Sequence, residues 1–412
     1  MEVVYPRCCG LDVHKRTIVA CRRILGPRGR VEQTVRTFDK MTADLLALAD
    51  WLAAAGVTHV AMESTGVFWK PVWNLLEGQF TLLLVNARHI KQVPGRKTDV
   101  KDCEWLAQLL QHGLVRGSFV PPPLIRELRD LTRTRTTLLH DRTRQVNRIH
   151  QLLEDANIKL GAVATDILGV SGRAMLRALV AGEADPAALA ELARRRLRAK
   201  LPALQRALAG RVREHHRFLL GTLLAQIDFL EAQIAHLDAR LEAQMRPFEA
   251  ELQLLTTIPG VQARTAQVAL AELGPDMAPF PSAAHLASWA GLCPGNHESA
   301  GKRHTGRTTK GNRWLRRALT EAAWAASRTR GTYPKAQYHR LVPRRGRKRA
   351  IGAVAHSLLE AMYHILKGRV PYRDLGPDHF DRLAPKHLTR YLVKRLEKLG
   401  HKVTLEPLTK AA

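Results

Sequence analysis

The chain is 412 residues long and carries 65 Lys and Arg against 37 Asp and Glu, a formal charge of +28. That length holds two or three domains with full cores, and so large a basic excess excludes an ordinary cytosolic enzyme and fits a polyanionic partner. Five cysteines, odd in number and without a CxxC pair, argue against a disulfide framework or a zinc site and for a reducing compartment.

The charge is uneven: residues 301–350 hold sixteen Lys or Arg and a single acid, Glu321. No apolar run reaches transmembrane length, no basic amphipathic helix opens the chain, and the N-terminus lacks a signal-peptide core. A cytoplasmic, nucleoid-associated protein with no membrane partner is expected.

Cys8 to His14 reads as a short apolar strand with Asp12 near its end, and Thr17 to Cys21 as a second strand after the His14-Lys15-Arg16 turn. Val31 to Phe38 alternates as a third. Thr42 is placed as the cap of a helix over 43–55. Val57 to Glu63 forms the next strand, then Ser64-Thr65-Gly66, a helix carrying Val67, Val72, Leu75 and Leu76, and a last strand over Thr81 to Val85. Cys8, Cys9 and Cys21 fall in strands, where free thiols act as small apolar residues. Three meandering strands followed by helix, strand, helix, strand resembles the ribonuclease H-like order, whose catalytic acids lie where strands one and four meet.

Thr98 is a plausible N-cap that puts Asp99 and Asp102 in the first turn of the next helix, on one face. Aspartate in a first turn also suits the helix dipole, so that pair alone says little. A lone acid ending an apolar strand, however, is costly unless paired or metal-bound. Together, Asp12, Glu63, Asp99 and Asp102 predict a pocket for divalent cations, Mg²⁺ or Mn²⁺. Two such ions can activate an attacking oxygen and stabilise a leaving one in phosphodiester cleavage.

Pro121-Pro122-Pro123 ends this domain. The helix expected over 124–157 bears Arg126, Arg129, Arg133, Arg135, Arg142, Arg144 and Arg148 on few apolar positions, as either a nucleic-acid contact or a solvated face. Residues 174–209 read as helix. Leu220, Leu223, Ile227, Leu230, Ile234, Leu237 and Leu241 form a heptad seam, which packing within the chain or a dimer would satisfy equally, and Pro247 ends it.

Leu254 to Gly274 is similar to a helix-hairpin-helix around Pro259-Gly260, a motif that grips DNA backbone without reading bases; a plain helix turn is the alternative. Ser299 follows in a small-residue loop beside Lys302, Arg303, Arg307, Lys310 and Arg313. A serine oxygen needs a base or metal to take its proton, and neighbouring cations would stabilise phosphate charge. From chemistry alone Ser299 reads as a loop hydroxyl more readily than as a nucleophile.

Joint occurrence of these motifs in order resembles the DEDD transposases of the bacterial IS110 family, closest to the IS1111 branch. The motifs are Gly10-Leu11-Asp12-Val13-His14-Lys15, Met62-Glu63-Ser64-Thr65-Gly66, Lys97-Thr98-Asp99-Val100-Lys101-Asp102, Ile258-Pro259-Gly260-Val261, Ala287 to Pro294, Ser299 to Lys302, and Gly306 to Asn312. Cys103, where the family often has Ala, is a minor departure.

The resemblance implies an α/β plus α architecture: a RuvC-like domain over 1–120, a helical and coiled-coil linker over 124–250, a mostly helical transposase domain over 253–350 and a helical tail over 351–412. It implies that Asp12, Glu63, Asp99 and Asp102 hold the metal and that Ser299 attacks DNA to form a 5′-phosphoserine link. It also implies donor and target DNA, an element-encoded guide RNA, and a homo-oligomer, dimer or tetramer, whose protomers can share active sites. Arg126, Arg129, Arg133, Arg142, Pro259, Gly260, Lys302, Arg303, Arg307, Lys310 and Arg313 are the expected nucleic-acid contacts. A RuvC-like nuclease using water, with Ser299 structural, is the rival expectation, and a basic scaffold without chemistry a third.

Overall fold

The computed structural model describes residues 2–27, 29–64, 66–86, 102–295 and 297–406, with 297–299 and 303–305 described as backbone only. The chain divides into two compact units, Met1–Val120 and Pro121–Ala412.

Unit 1 is built from β1 (Arg7–Val13), β2 (Thr17–Leu25), β3 (Val31–Asp39), α1 (Thr42–Ala54), β4 (His59–Glu63), α2 (Trp69–Leu76), β5 (Thr81–Val85) and α3 (Asp102–Gln111). Among the described residues its strands form one sheet in the order β3-β2-β1-β4-β5. The β1–β2 and β2–β3 pairs are antiparallel, β1–β4 and β4–β5 parallel. β1 is buried on both faces, as a near-continuous apolar strand between two helix layers must be. Leu11, Val13, Val60 and Met62 pack with α1 and α2. Cys8, Ala61 and Val85 face the other way, against Leu106 and Leu110 of α3. At Gly10 a Cβ would stand 2.5 Å from the Cys103 carbonyl and the Ala107 nitrogen, so the absent side chain lets α3 lie directly on the sheet.

Two local expectations change. Met41, not Thr42, is the N-cap of α1, and it makes no side-chain cap bond. α2 starts at Trp69, leaving Val67 outside the helix and exposed.

Among the described residues unit 2 is helical apart from one hairpin. Its helices are α4 (Pro123–Asp155), α5 (Leu160–Val163), α6 (Val170–Val180), α7 (Pro186–Glu191), α8 (Leu201–Leu208), α9 (Glu214–Met245), α10 (Glu249–Thr256), α11 (Ala263–Leu273), α12 (Ala283–Ala290), α13 (Arg313–Ala326), α14 (Tyr333–Arg345), α15 (Arg347–Gly368), α16 (His379–Leu383) and α17 (Pro385–Lys398). Strands β6 (His297–Ser299) and β7 (Lys302–Thr305) pair between α12 and α13.

The heptad seam lies on α9. Leu220, Ile227, Ile234 and Leu241 are buried, and α9 pairs with α4, to which Arg142 and Glu231 add a 2.7 Å ion pair. Packing within the chain therefore covers this stripe. The stretch 174–209 is not one helix but several. Gly182 takes a positive φ after α6, and Asp185, whose carboxylate accepts from the Ala187 and Ala188 amides, caps a new helix with Pro186 at its first position. Residues 351–368 are no tail, because Ile351, Val354, Leu358 and Met362 of α15 are core residues packed with α13 and α14.

A further correction concerns length and apolarity. The helical stretch 214–256 is apolar enough by length and composition to cross a bilayer, contrary to expectation. One stripe of it packs on α4, and Asp238 and Glu231 pair with Arg135 and Arg142.

Candidate functional site

The acids of unit 1 converge through strand register. Leu11 pairs with Met62 across the parallel β1–β4 contact, so Asp12 and Glu63 are the next residues on adjacent strands. By alternation both belong to the sheet face that carries Cys8 and Ala61, the face covered by α3. α3 runs against the direction of β1. Its last residue, Gln111, accepts the Val4 and Tyr5 amides, the Ala107 carbonyl accepts from the Cys8 thiol, and Cys103 lies on Gly10. Asp102, the first residue of α3, is thus brought to the end of the sheet where Asp12 and Glu63 sit. Asp12 is close enough to the Cys103 thiol for its charge to add to the burial that pushes that thiol up to about 11. Thr98 and Asp99 lie outside the described residues.

Asp12 remains 26 % exposed, and the exposed His14 ring lies 3.1 Å from its carboxylate. Lys40 ties the two loops beyond these strands, donating to the His14 carbonyl at 3.1 Å and the Phe68 carbonyl at 2.8 Å, while burial lowers its pKa. The thiols beneath are inert: burial raises Cys8 and Cys21 to about 12. Oxygen donors gathered at one sheet end suit a hard divalent cation.

Ser299 is the last residue of β6 and pairs in register with Lys302. It belongs to a hairpin, not an open loop. The two turn residues, Ala300 (φ 49°) and Gly301 (φ 72°), both take positive φ, as the tight primed hairpin turn requires. Alanine there is strained. The base of the hairpin is closed by the Gly295 amide donating to the Arg307 carbonyl at 2.8 Å and by a Pro294–Thr308 bridge. Lys302, Arg307, Lys310 and Arg313 are exposed around it. The side chains of Ser299 and Arg303 lie outside the description.

The arginines of α4 divide. Arg133 forms a bidentate bond with the Glu272 carboxylate, 2.7 Å on each arm, and Arg129 lies 3.4 Å from the same group. Glu272 is fully buried. Burial pushes the Arg129 guanidinium down to about 10 against the opposing pull of Glu272. Arg142 pairs with Glu231, and Arg126 donates to the Pro121 carbonyl at 3.0 Å. Arg129, Arg133 and Arg142, expected as nucleic-acid contacts, each neutralise an acid of a facing helix within unit 2. Sequence reasoning missed this network. The available signal was Arg129 and Arg133 one helical turn apart and an acid inside the apolar run Ala269-Leu270-Ala271-Glu272-Leu273.

Pro259-Gly260 does join two helices, α10 and α11. A Cβ at Gly260 would stand 2.5 Å from the Ala322 carbonyl and the Ala326 nitrogen, so the turn packs its backbone onto α13.

Among the described residues the group of acids and histidines whose ligand atoms all lie within 4.8 Å of one another is not that of unit 1 but Asp155, His215 and His216. Two of its members are paired with each other. The Arg213 amide donates to Nδ1 of His216 at 3.1 Å, which leaves the proton on Nε2 to donate to Asp155 at 2.7 Å. These atoms cap α9 and tie it to the end of α4.

A transposase model of the IS110 DEDD type matches residues 9–158, and a model described as the transposase IS116/IS110/IS902 family matches 252–339, together more than half of the chain. An uncharacterised 43.6 kDa protein of the insertion element IS110 from Streptomyces coelicolor is 32 % identical over 255 residues, 56 % of this chain and 61 % of that protein. Pilin gene-inverting proteins of Moraxella bovis and Moraxella lacunata are each 35 % identical over 124 residues, 29 % of this chain and 38 % of theirs. The chain thus spans less than two thirds of each relative's own length.

Proposed function

Because the chain belongs to the IS110 family of transposases, we propose that it is the recombinase of an insertion sequence, cutting and exchanging DNA strands in a Mg²⁺- or Mn²⁺-dependent reaction. The observation that supports this reading is the Leu11–Met62 register with α3 lying antiparallel over Gly10, which puts Asp12, Glu63 and Asp102 at the same end of the five-stranded sheet. These three, with Asp99, are the residues that would hold the ion. Such an ion, when bound, favours ionisation of an attacking oxygen and offsets charge on a leaving one.

Ser299 supplies the attacking oxygen. Its Oγ gives up its proton and forms a bond to phosphorus as the P–O3′ bond breaks, leaving a 5′-phosphoserine link and a 3′-oxygen that takes up a proton to become a free hydroxyl. Because the ester count is conserved, a 3′-hydroxyl of another strand can reverse the attack without an external energy source. Exchange rather than simple cutting is favoured by the gene-inverting relatives. Lys302, Arg303, Arg307, Lys310 and Arg313 offset phosphate charge around the hairpin, and Arg126 with the Pro259-Gly260 turn adds backbone contacts. Sequence is read by an element-encoded guide RNA through base pairing, the protein gripping shape and backbone. The working assembly is a homo-oligomer, dimer or tetramer, on DNA in the cytoplasm.

The test is a covalent protein–DNA adduct trapped on a nicked suicide substrate. It forms with Mg²⁺, and Ser299→Ala abolishes it. Strand hydrolysis that survives Ser299→Ala would instead establish the water-using nuclease. Full recombination by Asp12→Asn, or without divalent metal, would sink the carboxylate assignment. RNA that copurifies as one defined species mapping beside the gene supports the guide, whereas a heterogeneous cellular mixture refutes it.

A further inference from the structure

The stretch that carries Ser299 leaves α12 and enters α13, and both ends of it converge on one buried carboxylate. Glu272, in the last turn of α11, is wholly inaccessible. A buried anion of this kind persists only when fully compensated. Arg133 supplies a two-armed fork, and Asn312 donates from Nδ2 to Oε2 at 2.6 Å. Arg129 donates to the carbonyls of Ala271, at 3.0 Å, and Glu272, covering the negative end of α11.

The same cluster touches the chain on either side of the hairpin. Arg129 lies 6.0 Å from the ring of Trp289, just before it, and Arg133 lies 5.9 Å from the ring of Trp314, just after it. Asn312 has two duties. Its Oδ1 caps α13, accepting the Trp314 and Leu315 amides at 3.1 Å each, while its amide nitrogen reaches Glu272. Between these anchors the neck of the loop is closed backbone to backbone. Gly291 takes φ 70°, and a Cβ on Gly311 would meet Gly291 nitrogen at 2.3 Å. Glu272 itself is sealed from water, so its charge acts on the groups that frame the loop bearing the serine.

We infer that Glu272 and Asn312 are positioning residues for Ser299: the buried carboxylate, through the Asn312 amide, fixes the neck of the hairpin and so the place of the nucleophile. This rests on the reading of Ser299 as the attacking residue. A nucleophile must be held to well under an ångström, and a displacement of that order costs rate without costing affinity.

Asn312→Ser isolates the link, because serine keeps an oxygen for the α13 cap but has no amide to reach Glu272. The single-turnover rate of adduct formation on the suicide substrate should fall by up to about 10²-fold, with DNA affinity within about twofold and melting temperature near that of the unaltered chain. Amide hydrogen exchange over 294–308 should quicken in the same variant. Glu272→Gln, which keeps the acceptor for Asn312 but removes the charge, should slow the adduct less than Asn312→Ser wherever it folds.

A wild-type adduct rate and wild-type exchange in Asn312→Ser would overturn the inference, as would a rate loss matched by equal loss of affinity or of folded protein. Should the unaltered chain form no adduct at all, the serine reading has failed and the positioning role with it. Quickened exchange in that case would leave Asn312 a loop strut and nothing more.

Discussion

Two carboxylates with the same chemistry meet opposite fates in the two units. Asp12, at the end of β1, keeps a quarter of its surface in water, and the ring beside it is that of an exposed histidine on the next turn. Glu272, at the end of α11, is sealed and answered by Arg133, Arg129 and Asn312. A carboxylate compensated by two fixed cations is a strut, since no ligand can compete for it. One at a strand end and within reach of solvent is available to a cation. Environment separates the two roles where residue type cannot.

Several variants would break or sharpen this contrast, and the largest effect belongs to Glu272. Glu272→Ala strands the largely buried Arg129 guanidinium and the partly exposed one of Arg133 and should cost up to about 3 kcal/mol by denaturant unfolding. Asp12→Asn should stay within about 1 kcal/mol of the parent while losing the Mg²⁺-dependent rise in melting temperature. If both substitutions destabilise alike, Asp12 is a strut too. Gly10→Ala comes next. With no room above the sheet, α3 must lift, costing about 1–3 kcal/mol and weakening the Mg²⁺ response together, because Asp102 rides on that helix.

Ala300→Gly should go the other way. Relief of the positive φ at the hairpin turn should raise stability by up to about 1 kcal/mol in chemical denaturation without loss of the adduct; a destabilised variant would mean that the turn is not strained. The smallest effect is that of Asp155→Asn at the α4–α9 junction. The hydrogen bond from His216 holds the Asp155 carboxyl below its usual range, with His215 and Arg213 adding to it. A depressed folded pKa stabilises above the unfolded carboxylate value and is lost as pH falls through that range. The variant should therefore melt slightly lower than the parent at pH 7, with the gap closing below about pH 4. A gap that persists at pH 3 would assign the junction to packing alone.

Much of unit 1 was legible in the chain. β5 was read at its observed limits, β1 to β4 to within a few residues, because period-two patterning and turn residues are local signals. The convergence of Asp12 with Glu63 followed from strand order, since adjacent parallel strands bring their ends together. The α9 seam was equally plain, but its partner was not. Periodicity marks a face that must be covered without saying by what, and α4 covers it here. The broken helices over 174–209 were missed because Ala, Leu and Arg favour helix everywhere, while Gly182 and the Asp185-Pro186 cap are single-residue signals.

The sequence by itself determined the strand order, the acids at the strand ends, the basic excess and the serine motif, since each is written in local pattern or composition. Only the tertiary structure decided which charges are free to act. Arg129 and Arg133 look like nucleic-acid contacts along the chain, yet both are held by Glu272, 139 residues beyond Arg133. A charge's role depends on what lies within a few ångströms of it once water is removed, and that distance is set by packing rather than by sequence separation.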